Sequence, residues 1–153
     1  MKKNAFTLLE LLVVISVIGV LVAVILPNLV GVRARARDSA LKNDMRQLKT
    51  ALRMYYNDNQ TYPADDNAGN IVACGAAGSS VCPETDGSFS TGDIVYMKEM
   101  PTSEEYNYDS ISDGEDFLLS TVLENASDAD IADSIEYCRV VSPVASNYYV
   151  CAD

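Results

Sequence analysis

Two residue types are missing from this 153-residue chain: it has no histidine and no tryptophan. Without histidine it lacks the commonest general base and the commonest neutral metal ligand. It also has no phosphate-cradling glycine loop and no nucleophile-elbow pattern, so nothing in it supports catalysis. Acid pairs occur, but a composition this acidic produces them without any catalytic role. Positive charge is scarce beyond residue 53. Residues 54–153 hold two Lys/Arg against nineteen Asp/Glu, net −17, while residues 1–53 hold nine against three, net +6, and the whole chain carries −11. Phosphate contacts need a basic face, so no direct nucleic-acid partner is expected.

Cysteine is sparse. The four are Cys74, Cys82, Cys138 and Cys151, all in the acidic part. None forms a Cys-x-x-Cys pair, which argues against a zinc or redox motif. An even count in a region that leaves the cytoplasm reads as two disulfides, with free buried thiols as the alternative. Three connectivities exist. Cys74–Cys82 and Cys138–Cys151 are preferred because each closes a short loop that staples a small domain.

What the chain has in abundance is a greasy start. Between Phe6 and Leu26 only Thr7, Glu10, Ser16 and Gly19 interrupt an apolar composition. As a helix these residues would rise about 31 Å, the thickness of a bilayer's hydrocarbon core. Val and Ile would tolerate a strand, but a lone segment in lipid must satisfy its own backbone, and only a helix does so. Lys2 and Lys3 would suit a secretory signal peptide. The apolar stretch is too long for one, and Leu21-Val22-Ala23-Val24 is a poor cleavage site.

Beyond Pro27 the pattern changes. Leu41, Met45, Leu48, Leu52 and Tyr55 recur at steps of four, three, four and three, which marks one helical face. Lys42, Arg46, Lys49 and Arg53 mark another. The helix is expected to run on from bilayer to water as far as about Asn57, roughly 78 Å in all. Pro27 should kink or locally melt it, and Gly19 is a second soft point. Lys2 and Lys3 favour a cytoplasmic N-terminus, and Arg33, Arg35 and Arg37 argue the other way. The cysteines place the C-terminal part outside.

Glu10 stands out. A charged carboxylate at the centre of a membrane helix costs roughly 2.5–3.5 kcal/mol on insertion scales, and less near the interface. Either it reaches the headgroups or it awaits a cation from another chain.

Lys2-Lys3-Asn4-Ala5 followed by Phe6-Thr7-Leu8-Leu9-Glu10 resembles the leader and cleavage site of type IV pilins and of the pseudopilins of type II secretion. The resemblance implies a cut between Ala5 and Phe6 by a membrane peptidase, methylation of the Phe6 amine, and Glu10 as the assembly residue. Gly19 and Pro27 fall where helices of that family loosen. The residue before the cut is usually Gly in the family and is Ala5 here. The similarity is strong over residues 1–30, moderate through the stretch from Ala51-Leu52-Arg53 to Tyr62-Pro63, and patchy beyond.

The expected architecture is α+β and pilin-like: a long N-terminal helix, half membrane-spanning and half amphipathic, packed on a small antiparallel sheet. Residues 1–5 form the leader, 6–29 the transmembrane and assembly helix, and 30–153 the head. The head comprises an amphipathic helix over 30–57, a connecting loop over 64–92 and a sheet over 106–151. The expected strands are Tyr106–Asp109, Phe117–Glu124, Ile135–Val141 and Asn147–Cys151, with a tight turn at Asp113-Gly114. The nine tyrosines read as half-buried residues with wet hydroxyls.

Two acidic clusters could take a hard cation. One is Asp109, Asp113, Glu115 and Asp116. The other comprises Glu124, Asp128 and Asp130, near Asp133. Neither has EF-hand spacing, and a solvated acidic loop is the alternative. Major pseudopilins carry a structural calcium in a C-terminal loop, and Asp128-Ala129-Asp130-Ile131 loosely resembles part of it.

Three functions follow from different premises. A structural subunit of a type IV pilus-like filament explains the leader, Glu10 and the helix together; a major pseudopilin of type II secretion shares that architecture. A membrane-anchored binding module that never polymerises leaves Glu10 without a purpose. An enzyme has no support. The resemblance implies further copies of the chain, a prepilin peptidase and an assembly platform with a cytoplasmic ATPase as partners. It also implies a single-pass inner-membrane precursor, head outward, that ends in a periplasmic or extracellular filament.

Overall fold

The computed structural model describes residues 7–83, 87–102 and 104–152, with the side chains of 26–30 excepted. The chain divides into two compact units, Met1–Ala36 and Arg37–Asp153.

The first unit contains the membrane-grade part of helix α1 (Leu8–Asn59). Residues Leu8–Ile25 have a mean hydropathy of 3.0, and none of that span is buried. Apolar side chains exposed all around a helix are what is expected of a segment whose solvent is lipid. Helix α1 runs without interruption from Leu8 to Asn59, so of the kink or local melting expected at Pro27 the melting does not occur, and the helix is also continuous through the soft point Gly19. A proline removes one intrahelical hydrogen bond, and the turns on either side can remain helical.

The second unit is built on the amphipathic part of α1. Met45, Leu48, Ala51, Leu52 and Tyr55 are buried, a 3–4 spacing that forms one stripe, while Arg46 and Arg53 stay exposed. The helix reaches Asn59, two residues beyond the expected end. Gln60 then adopts φ 59°, and its amide donates to the Tyr56 carbonyl at 2.7 Å. A left-handed residue followed by Pro63 is an ordinary helix stop.

Three small antiparallel sheets face this stripe. The first orders β1 (Ala64–Asp65), β2 (Ile71–Cys74) and β3 (Ser80–Val81); the second pairs β4 (Phe89–Thr91) with β5 (Ile94–Met97). The third orders β6 (Asn107–Ile111), β7 (Asp116–Val122) and β8 (Asn147–Cys151). On the central strand β7, Phe117 and Leu119 are fully buried, whereas Val122 is 64% exposed. Tyr108 is also fully buried, and its hydroxyl donates to the Pro63 carbonyl at 2.7 Å, tying β6 to the end of α1.

Two sequence expectations need correction. Segment 64–92 is not a bare connection: it supplies β1 to β4, and Ile71, Ala73, Cys74 and Phe89 are core residues at 0% exposure. Strands of two to four residues are too short for period-2 alternation to register. The expected strand Ile135–Val141 does not form: residues 135–137 end a helix, and 138–141 are turn and irregular chain. Helix α2 covers Ala129–Tyr137, and the Asp128 side chain caps it by accepting the Asp130 amide at 3.0 Å. Ile131 and Ile135, four residues apart, lie on the face turned to the core.

Asp113-Gly114 falls in the β6–β7 turn, a 3₁₀ segment Ser112–Gly114 with all three residues at positive φ. The cysteines are joined as Cys74–Cys82 and Cys138–Cys151. The first bridge closes the β2–β3 loop. The second fastens the end of α2 to β8.

Candidate functional site

Glu10 lies in the first turn of α1, where the free amides of a helix start favour a negative charge. The structure gives it partners within its own chain. Its Oε2 accepts from the Thr7 backbone amide at 3.2 Å and from the Thr7 hydroxyl at 3.1 Å, while the Glu10 amide donates back to Thr7 Oγ1 at 3.2 Å. This reciprocal arrangement is a capping box, formed because Thr and Glu stand three residues apart at a helix start. A carboxylate that would be orphaned in lipid is thus hydrogen-bonded, and among the described residues no cation forms an ion pair with it. Thr7 was not among the site residues expected from sequence, although the Thr-x-x-Glu spacing carries the signal.

Ala5 and Phe6, the expected cleavage and methylation positions, lie outside the described residues, as does the Pro27 side chain. Gly19 has no non-helical atom within 4 Å of where a Cβ would stand, so the structure shows open space at this point of the helix.

The acidic segment after β7 is bound to the second unit's part of α1 by three carboxylate contacts. Arg37 grips both Glu124 oxygens, at 2.5 and 2.6 Å. Lys42 Nζ donates to Asp128 Oδ2 at 2.9 Å and to Asp130 Oδ2 at 2.7 Å. Asp38, 1% exposed, accepts the backbone amides of Glu124 and Asn125 at 2.8 and 2.9 Å. The Arg37 hydrogen bonds and charge hold the Glu124 carboxyl below its ordinary pKa. Burial pulls the Lys42 ammonium down, but hydrogen bonds to Asp130 and Asp128 more than offset this and leave it raised.

Calcium asks for six to eight oxygens at 2.3–2.6 Å. Here both Glu124 oxygens are engaged by Arg37. The two Asp128 oxygens go to Lys42 and to the helix cap, and Asp130 also faces Lys42. As they stand, these residues do not fit a calcium ion. Among the described residues no group of three or more acidic or cysteine side chains is arranged to hold a metal, and this includes the Asp109–Asp116 cluster.

A family described as the prokaryotic N-terminal methylation motif matches residues 1–26. The type II secretion system core protein G of Vibrio cholerae is 31% identical over 112 residues, covering 73% of this chain and 74% of that protein. Its counterpart in Escherichia coli is 45% identical over 62 residues, 40% of this chain and 43% of that protein. The type IV major pilin protein PilA of Myxococcus xanthus is 33% identical over 61 residues, 40% of this chain and 28% of that protein. For the last two, then, the match spans less than half of the relative's length. No solved structure matches the chain.

Proposed function

The chain belongs to the family of type II secretion system core protein G, and on that premise we propose that it is a structural subunit of a type IV pilus-like filament. It begins as a single-pass inner-membrane precursor with the head outside. A prepilin peptidase removes residues 1–5 and methylates the Phe6 amine. The subunit then polymerises through α1, driven by an assembly platform with a cytoplasmic ATPase. Its role is structural, not enzymatic.

The single observation that carries this reading is Glu10, an ionisable group in a span of mean hydropathy 3.0. The Thr7 capping box supplies hydrogen bonds to it, and among the described residues no cation forms an ion pair with it. The processed amine of Phe6 on a neighbouring copy supplies the missing cation. Desolvation offsets much of that attraction, so the pair adds little net stability. Its effect is on register, because any other stagger leaves two charges unpaired in a low dielectric. Packing of the Leu, Val and Ile side chains supplies the cohesion.

The test is Glu10→Val in the full chain. Membrane insertion should be unchanged and sedimentable filament should fall sharply. Normal filament numbers would refute the register role and would favour a tethered module that does not polymerise.

A second reading, the pseudopilus of a secretion system, is favoured by the match reaching across 74% of the Vibrio cholerae protein, well past the helix. Deleting the gene in its host separates the two. Loss of protein export with surface motility kept assigns the filament to secretion, and the reverse assigns it to a pilus.

A further inference from the structure

We propose that the head of this protein is closed by an internal ammonium, that of Lys42, in place of a divalent cation, so that its fold is independent of calcium. The region concerned is the acidic segment 124–130 between β7 and α2. Such a segment must be held down by positive charge or stay a solvated loop, because Glu124, Asp128 and Asp130 repel one another at close range.

The positive charge comes from α1. The Lys42 side chain is 13% exposed and Asp128 19%, whereas Asp130 is 46% exposed, so the ammonium is covered on the Asp128 side and open to solvent at Asp130. Its Nζ bridges Asp128 and Asp130 at 2.9 and 2.7 Å. Arg37 sits at i−5 on the same helix and takes Glu124; Asp38, at i−4, takes the two amides that follow β7. The three contacts together occupy the donors and acceptors that an ion would otherwise organise.

A calcium ion placed among the same carboxylates would stand within a few ångströms of Lys42. Two positive centres at about 4 Å in an effective dielectric near 20 repel strongly enough that one must leave. Lys42 is covalently held and partly enclosed, whereas the ion must first shed its water. The lysine therefore wins by local concentration, even though its single charge is half that of the ion.

This arrangement also assigns Lys42 a purpose that its helical stripe does not suggest. The stripe reads as a solvated basic face, and Arg46 on it is indeed exposed. Lys42 departs from that face by turning into the α1–α2 junction.

The experiment uses the full chain in detergent micelles, with thermal unfolding followed in millimolar calcium, in millimolar magnesium and in chelator. The expected result for the unmodified protein is one Tm in all three. A Tm raised by calcium overturns the proposal. Lys42→Met keeps the aliphatic stem and removes the charge; it should lower Tm by roughly 5–10 °C in chelator. An unchanged Tm for that variant would also overturn it. Should Lys42→Met fail to fold, Lys42→Arg, which keeps the charge, is expected to fold and to remain indifferent to calcium. A calcium-dependent Lys42→Arg variant would again sink the idea.

Discussion

Asp38 on α1 and Asn125 after β7 are joined through one carboxylate oxygen and one backbone amide, 2.9 Å apart across 87 residues of chain. The other oxygen serves the Glu124 amide. The carboxylate therefore replaces two sheet hydrogen bonds at the point where β7 stops pairing. Hydrogen bonds to charged groups contribute more than neutral ones, and buried amides left without an acceptor are costly. Asp38→Ala should destabilise the head by about 2–4 kcal/mol. Asp38→Asn retains one acceptor oxygen and should lose clearly less. Urea unfolding of the full chain in micelles measures both.

The capping box at the membrane end can be tested without reference to filaments. Thr7→Ala removes the hydroxyl that receives the Glu10 amide and donates to its carboxylate. The loss should be about 1 kcal/mol, which corresponds to roughly fivefold faster amide hydrogen exchange in the first turn. Thr7→Ser should exchange like the unmodified protein. Equal rates in Thr7→Ala would mean that the box contributes nothing in a membrane-like solvent.

Gly114 closes the β6–β7 turn at φ 87°, and its carbonyl accepts the Tyr62 amide at 2.8 Å. A Cβ at this position would collide with Thr61 Oγ1 and stand 3.0 Å from the Tyr62 carbonyl oxygen. Left-handed strain and the clash act together, so Gly114→Ala should cost roughly 2–4 kcal/mol. The same experiment on Gly19→Ala, in open space, should show no loss.

The pH dependence has two limbs. Glu124 has a depressed pKa, so its contribution is full above the ordinary carboxylate range and fades as pH falls through it. Glu124→Gln should flatten that acid limb. Burial raises the Tyr106 and Tyr108 phenols well above their ordinary value of about 10. The unfolded chain releases these protons first, so stability is full below pH about 10 and declines above it. Phenolate absorbance from the two should therefore appear together with unfolding and not before it.

The two disulfides should differ in how they yield to reductant. Cys74 and Cys82 are 0% and 1% exposed, whereas Cys138 is only half-buried. Mild reduction followed by alkylation and peptide mass mapping should label Cys138 and Cys151 first. Replacing that pair by serine should cost about 2–4 kcal/mol through the freed 13-residue separation.

Long-range features of the chain were readable from residues alone, because they rest on repeated signals. The apolar run is legible by its unbroken length, the stripe Met45-Leu48-Leu52-Tyr55 by its period, and the strands around Phe117 and Asn147 by their concentration of aromatic and branched residues. What was not readable depended on partners distant in sequence. Strands β1 to β4 are too short to show a period, and they exist because Ile71, Ala73 and Phe89 find the α1 stripe. Helix α2 is hard to read because Ile135 and Tyr137 suit a strand as well as a helix; the Asp128 cap is the signal that decides it. Asp38 and Thr7 do not stand out as site residues in the sequence, Asp38 because the amides that donate to it lie 86 and 87 residues away. The acidic loop showed its charges, but sequence did not show which cations of α1 would reach them.

Eighteen consecutive residues, Leu8–Ile25, show oily side chains on every side of their helix and bury none of them. A surface like that has no tolerable existence in water, so a detached subunit would precipitate before it could diffuse. Growth must pass each copy straight from lipid into a protein-lined seat, and shedding must return it the same way.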